Sequence, residues 1–220
     1  MDKELIKSKI IISIQSTEGD PTHSSIVKEA YMKSVVMGGA GGFRLAGVDD
    51  IILAKKLYPN FPVIVITKPK KIPENYKELV YITPTVEDAE TLIKAGADII
   101  AFDGTQRHDY TKIIEKIKKS GKIPMADIST YEEGIKAYES GAEIVSTTLS
   151  GYTTYSKQSN EPDFELAKML SDKGIPTIME GKIWEKNQVK KALEAGAYSI
   201  VIGSAVTRPW LIVERFVNYG

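Results

Sequence analysis

The chain has 220 residues, 42% of them hydrophobic and 26% charged, which is typical of a globular protein with a substantial core. Lys and Arg together number 29, and so do Asp and Glu. This balance excludes a broad electrostatic attraction to nucleic acid or to an anionic membrane, but not a locally basic pocket. The absence of cysteine excludes disulfides, thiolate metal sites and thiol catalysis.

The first residues, MDKELIKSKI, mix charges with apolar side chains and lack a small-residue cleavage site, so they predict no signal peptide. No apolar run in the sequence has the length of a membrane span. We therefore expect a cytoplasmic protein with no membrane partner and no nucleic-acid partner.

Eight short apolar runs predict β-strands. Four of them are IIISIQ (10–15), PVIVIT (62–67), IPMADI (123–128) and IPTIME (175–180). The other four follow a repeated junction, in which a helix-like segment ends at Gly-Ala and an extended run begins. These junctions span residues 36–47, 94–104, 139–149 and 194–204. A ninth run, LVYIT at 79–83, is shorter and is counted separately.

Amphipathic segments between the strands predict helices over residues 85–95, 110–120, 130–140, 163–173 and 185–195. Thr85 and Asp163 stand at predicted helix starts and suit the N-cap position. The regular alternation, without a linker, predicts a single (β/α)₈ barrel, a TIM barrel, over residues 1–220. The alternative is an open doubly wound sheet, but SIQSTEGDP after the first strand lacks the Gly-rich turn expected there.

Polar side chains follow nearly every predicted strand, at the rim where barrel enzymes hold their active sites. In chain order they are Gln15, Arg44, Lys68, Asp103, Asp127, Thr147, Thr148, Glu180, Ser204 and Arg208, and Gly203 precedes the last two. Together they predict a functional site. Individually, the two aspartates could instead cap helices or pair with lysines, Gln15 could be a satisfied rim residue, and the two threonines fit a strand without any function.

Arg44 and Glu180 are the strongest single candidates. Each is flanked by apolar residues and is therefore expected to be buried, and buried ionisable groups are concentrated at functional sites. Lys68 directly follows a predicted strand. Lys70 and Lys71, by contrast, lie beyond a proline and are predicted to be solvated.

A phosphate site is predicted at IVIGSAVTRP (200–209), where a buried strand ends and a short helix opens with free N–H groups. Barrels often hold phosphate in the loops after strands seven and eight, and the seventh-strand loop here is EGKI (180–183). The predicted substrate-binding residues of these loops are Gly181, Lys182, Gly203, Ser204 and Arg208, with the Arg208 guanidinium as a bidentate clamp.

The two histidines, His23 and His108, lie in polar loop sequences away from the strand ends, and they are predicted to be surface residues. Neither has the spacing of a metal-ligand pair. No serine at the end of a predicted strand has a histidine that is expected to lie near it. The sequence therefore predicts neither a metal site nor a Ser-His-Asp triad.

Several motifs occur in a specific order: SIQSTEGDPTHS, GGAGGFRLAGVDDI, MADISTYEEG, STTLSGYTTYS, EGKI and IGSAVTRP. By these motifs the sequence resembles the N-acetylmannosamine-6-phosphate 2-epimerases, which belong to the ribulose-phosphate-binding barrels. The resemblance implies interconversion of N-acetylmannosamine 6-phosphate and N-acetylglucosamine 6-phosphate in sialic acid catabolism. It also implies a homo-oligomer, often a dimer, without a metal or an organic cofactor.

Residue by residue, the resemblance implies catalysis by Lys68 and Glu180 and substrate contacts at Gln15, Arg44, Asp127 and Arg208. The sequence departs from the family at Lys182, where an arginine is common, and in the loop QRHDY (106–110), which is commonly more basic. An ammonium keeps the charge at Lys182 but loses the bidentate fork of a guanidinium.

Inversion at C2 of a 2-acetamido sugar requires the ring to open first, so that the aldehyde at C1 can delocalise the carbanion. Glu180 is the candidate for moving the ring-opening protons, and Lys68 for taking the C2 proton, which requires a lowered amine pKa. Reprotonation from Lys68, from Glu180 or through a substrate hydroxyl stays open, as does a lid role for the segment 150–162. The alternatives in function are another phosphosugar isomerase or epimerase, and a non-catalytic phosphosugar-binding barrel.

Overall fold

The computed structural model describes residues 2–218 as a closed barrel of eight parallel strands, in which each strand pairs with its neighbours in the chain and the eighth pairs with the first. The strands are β1 (Ile10–Ile14), β2 (Gly42–Ala46), β3 (Val63–Ile66), β4 (Ile99–Asp103), β5 (Ile123–Asp127), β6 (Ile144–Ser146), β7 (Thr177–Glu180) and β8 (Ser199–Ile202). The predicted (β/α)₈ barrel is thus confirmed, and all eight predicted strand segments contain a strand.

Helices lie between the strands and after the last one. They are α1 (Ser25–Met37), α2 (Val48–Leu57), α3 (Val86–Ala95), α4 (Thr111–Lys119), α5 (Tyr131–Glu139), α6 (Phe164–Ser171), α7 (Lys186–Glu194), α8 (Ser204–Thr207) and α9 (Pro209–Val217). Two 3₁₀ helices occur at Lys3–Ile6 and Thr147–Leu149. No helix within residues 2–218 is long and apolar enough to cross a membrane.

The local signals read from the sequence have the expected geometry. The junction glycines have positive φ angles, namely 88° at Gly39, 99° at Gly96, 107° at Gly141 and 87° at Gly196. A left-handed residue ends a helix and turns the chain back toward the sheet, and glycine adopts it without a Cβ penalty. The predicted N-caps are confirmed as well: the side chains of Thr85 and Asp163 accept hydrogen bonds from backbone N–H groups of α3 and α6.

The ninth run, at 79–83, is not a strand. Its Ile82 carbonyl accepts a hydrogen bond of 2.9 Å from the Asp103 N–H, and the Thr83 hydroxyl accepts one of 3.1 Å from the Thr67 N–H. The segment therefore lies across the ends of β3 and β4. Its apolar character serves to bury Ile82 at the barrel mouth rather than to extend the sheet.

Alternate residues of the strands pack inside the barrel and outward against the helices, as the two-residue period of a strand requires. On β3, Ile64 and Ile66 pack inside the barrel, whereas Val63 and Val65 pack outward with helical residues such as Leu92. The interior cluster fills the barrel below the carboxyl ends of the strands. The polar side chains at those ends consequently lie directly above an apolar interior.

Candidate active site

A cavity of about 340 Å³ opens at the carboxyl ends of the strands. Most of the residues predicted from the sequence line it: Gln15, Arg44, Lys68, Thr148, Glu180, Gly181, Lys182, Gly203, Ser204 and Arg208. Three others, Asp103, Asp127 and Thr147, are buried beside or beneath the cavity rather than lining it.

An arginine between two carboxylates lies at the bottom of the cavity. Arg44, in the middle of β2, is 1% exposed and pairs through Nη2 with Oδ2 of Asp127 at the end of β5. Its Nη1 lies 2.8 Å from Oε2 of Glu180 at the end of β7. Within residues 2–218, Nε and Nη1 are buried and have no aligned hydrogen-bond acceptor.

Glu180 is the acid-base candidate of this group. Burial raises its pKa to about 7, although the Arg44 charge acts to lower it, and the negative charge of Asp127 raises it further. A carboxyl group with this pKa exchanges its proton near neutral pH, which suits a group that both gives and takes protons.

Lys68 follows the end of β3 and reaches into the same cavity. Its Nζ donates a hydrogen bond of 2.7 Å to the backbone carbonyl of Gln15, which positions the amine. Burial lowers the pKa of Lys68 to about 8, and the nearby positive charges of Arg208, Lys28 and Arg44 lower it as well. This is the direction that a general base requires, because only the neutral amine accepts a proton.

The lysines that follow Lys68 differ from it in environment. Lys70 and Lys71 are exposed. Of the three lysines in the run KPKK, only Lys68 lines the cavity.

The predicted phosphate loops also line the cavity. Gly203 precedes the short helix α8, and the Arg208 guanidinium forms no ion pair with any residue that the structure describes. Lys182, with a φ of 61°, donates from Nζ to the Ser150 carbonyl at 3.1 Å and lies 5.2 Å from the centre of the Tyr152 ring. The loops after β7 and β8 thus each add a cationic side chain to the lining of the cavity.

Asp103 lies outside this arrangement. Its carboxylate accepts a hydrogen bond of 2.6 Å from Arg107, whose Nε donates to Thr105 and whose Nη1 donates to the Lys77 carbonyl. Asp103 and Asp127 therefore pair with arginines, and they neither cap helices nor pair with lysines. Arg107 holds the 104–110 loop together and has no donor directed at the cavity.

The histidines differ from each other. His23 is exposed, as predicted, but His108 is half-buried, with Nε2 2.6 Å from the Asp103 carbonyl oxygen. Among residues 2–218, no group of three His, Asp or Glu side chains has the arrangement of a metal site.

The sequence reasoning missed several lining residues, among them Tyr81, Tyr152 and Trp184. Tyr81 lies in the apolar run at 79–83, which is counted apart from the eight strands, and the other two lie in loops after β6 and β7. A search confined to ionisable residues at strand ends cannot find them.

The segment 150–162 forms hydrogen bonds to the rest of the barrel. Tyr155 donates to Glu133 at 2.6 Å, and Ser150 donates to Asp163 at 2.6 Å. The lid role of this segment stays a prediction.

Known proteins share this architecture over nearly the full chain. The sequence profile of a family described as "Putative N-acetylmannosamine-6-phosphate epimerase" matches residues 29–219. A protein of Clostridioides difficile (strain 630) with the corresponding 2-epimerase description is 44% identical over 220 residues, which cover 97% of this chain and 96% of that protein. A counterpart in Caldanaerobacter subterraneus is 42% identical and covers 97% and 92%.

The solved structure of the N-acetylmannosamine-6-phosphate 2-epimerase from Clostridium perfringens superposes with a TM-score of 0.91 at 40% identity. The match covers 98% of this chain and 94% of that one. Agreement in sequence and in backbone over the same span leaves one conclusion: the chain belongs to the N-acetylmannosamine-6-phosphate 2-epimerase family.

Proposed function

We propose that the protein interconverts N-acetylmannosamine 6-phosphate and N-acetylglucosamine 6-phosphate, as a step of sialic acid catabolism. The observation that carries this proposal is a lysine of lowered pKa and a glutamate of raised pKa in one cavity, which the cationic side chains of Lys182 and Arg208 also line. Family membership supplies the substrate class.

Glu180 opens the sugar ring. As an acid it donates a proton to O5 while the C1–O5 bond breaks, and the carboxylate that remains takes the proton of the O1 hydroxyl as C1 becomes an aldehyde. Burial keeps a useful fraction of this carboxyl group protonated near pH 7.

Lys68 then removes the hydrogen at C2. The electrons of the C2–H bond form a C1=C2 double bond, and the aldehyde oxygen becomes an oxyanion. The positive charge of Arg44 at the bottom of the cavity stabilises this oxyanion. Return of a proton to the opposite face of C2 completes the inversion, and its donor is Lys68, Glu180 or a substrate hydroxyl.

Incubation with N-acetylmannosamine 6-phosphate in deuterated water tests the function. The expected product is N-acetylglucosamine 6-phosphate carrying deuterium at C2, detected by ¹H NMR from loss of the H2 signal. Binding of the sugar phosphate without formation of any epimer would contradict the proposal and would favour a non-catalytic binding barrel.

Arg208 anchors the 6-phosphate, and its replacement should weaken substrate binding more than turnover. For Arg208→Met we expect KM to rise roughly 10- to 100-fold, the cost of a charge-assisted hydrogen bond. The assay belongs at about pH 9, because the Arg208 charge also lowers the pKa of Lys68. With unphosphorylated N-acetylmannosamine the two proteins should react alike; an equal loss with both sugars would contradict the assignment.

The remaining features of the enzyme are also proposals. Gln15, Asp127, Gly181, Lys182, Gly203 and Ser204 are proposed to bind substrate, Asp127 by holding Arg44 in place. A homodimer is supported by the exposed apolar side chains of α9, where Val213, Phe216 and Val217 are each more than half exposed. A single domain over residues 1–220 and a cytoplasmic location stay predictions.

A further inference from the structure

Four oxygen atoms next to Arg44 form a connected network. The Thr148 hydroxyl lies 2.8 Å from Oδ1 of Asp127, 3.0 Å from Oε2 of Glu180 and 2.8 Å from the hydroxyl of Ser146. Ser146 ends β6, and Thr148 belongs to the 3₁₀ helix that follows. The chain therefore places one hydroxyl in contact with two carboxyl groups.

Each of these three contacts needs a proton between its two oxygens, since two oxygens without one repel each other at this distance. With both carboxyl groups ionised, the network holds only the hydroxyl protons of Ser146 and Thr148. One contact then has no proton. If one carboxyl group is protonated, the count becomes three protons for three contacts, and every contact is a hydrogen bond.

The geometry identifies which carboxyl group holds the third proton. Asp127 accepts an aligned hydrogen bond from Nη2 of Arg44, which binds the ionised form. Glu180 lies farther from the same guanidinium, with Oε2 2.8 Å from Nη1, and this contact lacks hydrogen-bond alignment. Asp127 therefore carries the charge, and Glu180 carries the proton.

We propose that Thr148 is a positioning residue that holds the acid form of Glu180, accepting the carboxyl proton of Glu180 while donating its own proton to Asp127. The proposal rests on the ring-opening role of Glu180 given above and deepens it. Once Glu180 has given its proton to the sugar, Thr148 has one proton for two carboxylates. The loss of one hydrogen bond favours the return of the proton to Glu180.

Other charges act on Glu180 as well. Arg44 faces it from β2 and Asp127 from β5, and Lys68, Lys182 and Arg208 line the same cavity. Burial, the largest influence, raises its pKa to about 7, whereas a hydrogen bond donated by Thr148 to an ionised Glu180 would lower this pKa. The count of three contacts against two hydroxyl protons assigns the opposite direction, with Thr148 as the acceptor. A change confined to Thr148 leaves all of these charges in place, so its effect can be separated from theirs.

Thr148→Val removes the hydroxyl at nearly constant shape, and Thr148→Ser keeps it. The measurement is the titration of the Glu180 side-chain carbon by ¹³C NMR in the substrate-free protein, with the signal assigned from its absence in Glu180→Gln. We expect the valine variant to lower the pKa of Glu180 by about one unit, because the acid form loses its acceptor. The serine variant should titrate like the original protein.

A rise of the Glu180 pKa in Thr148→Val would show that Thr148 donates to Glu180, and it would overturn the proposal. An unchanged titration would overturn it too, since a purely structural threonine moves no pKa. If the valine variant does not fold, Thr148→Ala gives the same comparison. Because no substrate is present, the result is independent of the deuterium experiment, so failure of this proposal is distinguishable from failure of the epimerase function.

Discussion

In Lys68→Met, exchange of the C2 hydrogen should cease, with kcat/KM lower by about 10³-fold or more, the usual contribution of a general base. Ring opening should persist, because it uses Glu180 and not the amine. The two steps can be followed separately. Deuterium incorporation at C2 reports proton removal, and exchange NMR between the α and β anomers of N-acetylmannosamine 6-phosphate reports ring opening.

The matched control for this change is Lys70→Met, two residues along the same run. Lys70 is exposed, so its loss should leave both rates unchanged. If the Lys68→Met variant still incorporates deuterium at C2 at the original rate, Lys68 is not the base that removes the C2 proton. A variant that also loses anomer interconversion would show that the amine acts in ring opening.

The barrel itself could be predicted from the sequence, because its signals are local. Gly96 and Gly141 close helices with positive φ, Thr85 caps α3, and the apolar runs between them are buried on both faces as parallel strands require. The run at 79–83 could only be counted apart from the eight strands, since a short apolar run looks the same whether it joins a sheet or covers one.

The identities of the rim residues followed from the fold, but their partners did not. A strand-end position shows that Arg44, Asp127 and Glu180 share one end of a barrel. It does not show that Arg44 is fully buried between the other two, because that depends on side-chain packing across three strands. The same limit applies to Thr148, whose importance lies in distances of 2.8 and 3.0 Å to residues far away in the chain.

The loop 104–110 illustrates the reverse case. Its departure from the family pattern raised the question of a binding role. The structure gives Arg107 internal partners in Asp103, Thr105 and the Lys77 carbonyl. A basic residue in a rim loop can thus be a structural clamp, and the sequence alone does not distinguish the two roles.

Glu180→Gln should have the opposite kinetic pattern to Lys68→Met. Glutamine keeps the size of the side chain but neither gives nor takes a proton, so enzyme-catalysed interconversion of the anomers should be lost. Epimerisation should then depend on spontaneous ring opening, and we expect kcat/KM to fall by about 10³-fold. Anomer exchange at the rate of the original protein would contradict the assignment of Glu180 to this step.

The pH profile gives the same prediction a second measurement. Lys68 is neutral above its pKa of about 8, and Glu180 is protonated below its pKa of about 7. The form required for catalysis has a neutral Lys68 amine and a protonated Glu180 carboxyl group. It is one of the two ways in which the pair can hold a single titratable proton, and the singly protonated pair is most populated between about pH 7 and 8. A plot of kcat/KM against pH should therefore be bell-shaped, falling on both sides of this window.

In Glu180→Gln the alkaline decline should disappear, because no carboxyl proton remains to be lost. The residual activity should rise through the pKa of Lys68 and stay level at higher pH, since only the neutral amine is then required. A bell-shaped plot of kcat/KM against pH in Glu180→Gln would mean that another group acts as the acid. A profile of the original protein that rises through both pKa values to a plateau would mean that Glu180 works as a carboxylate, and would assign the proton for O5 to a different donor.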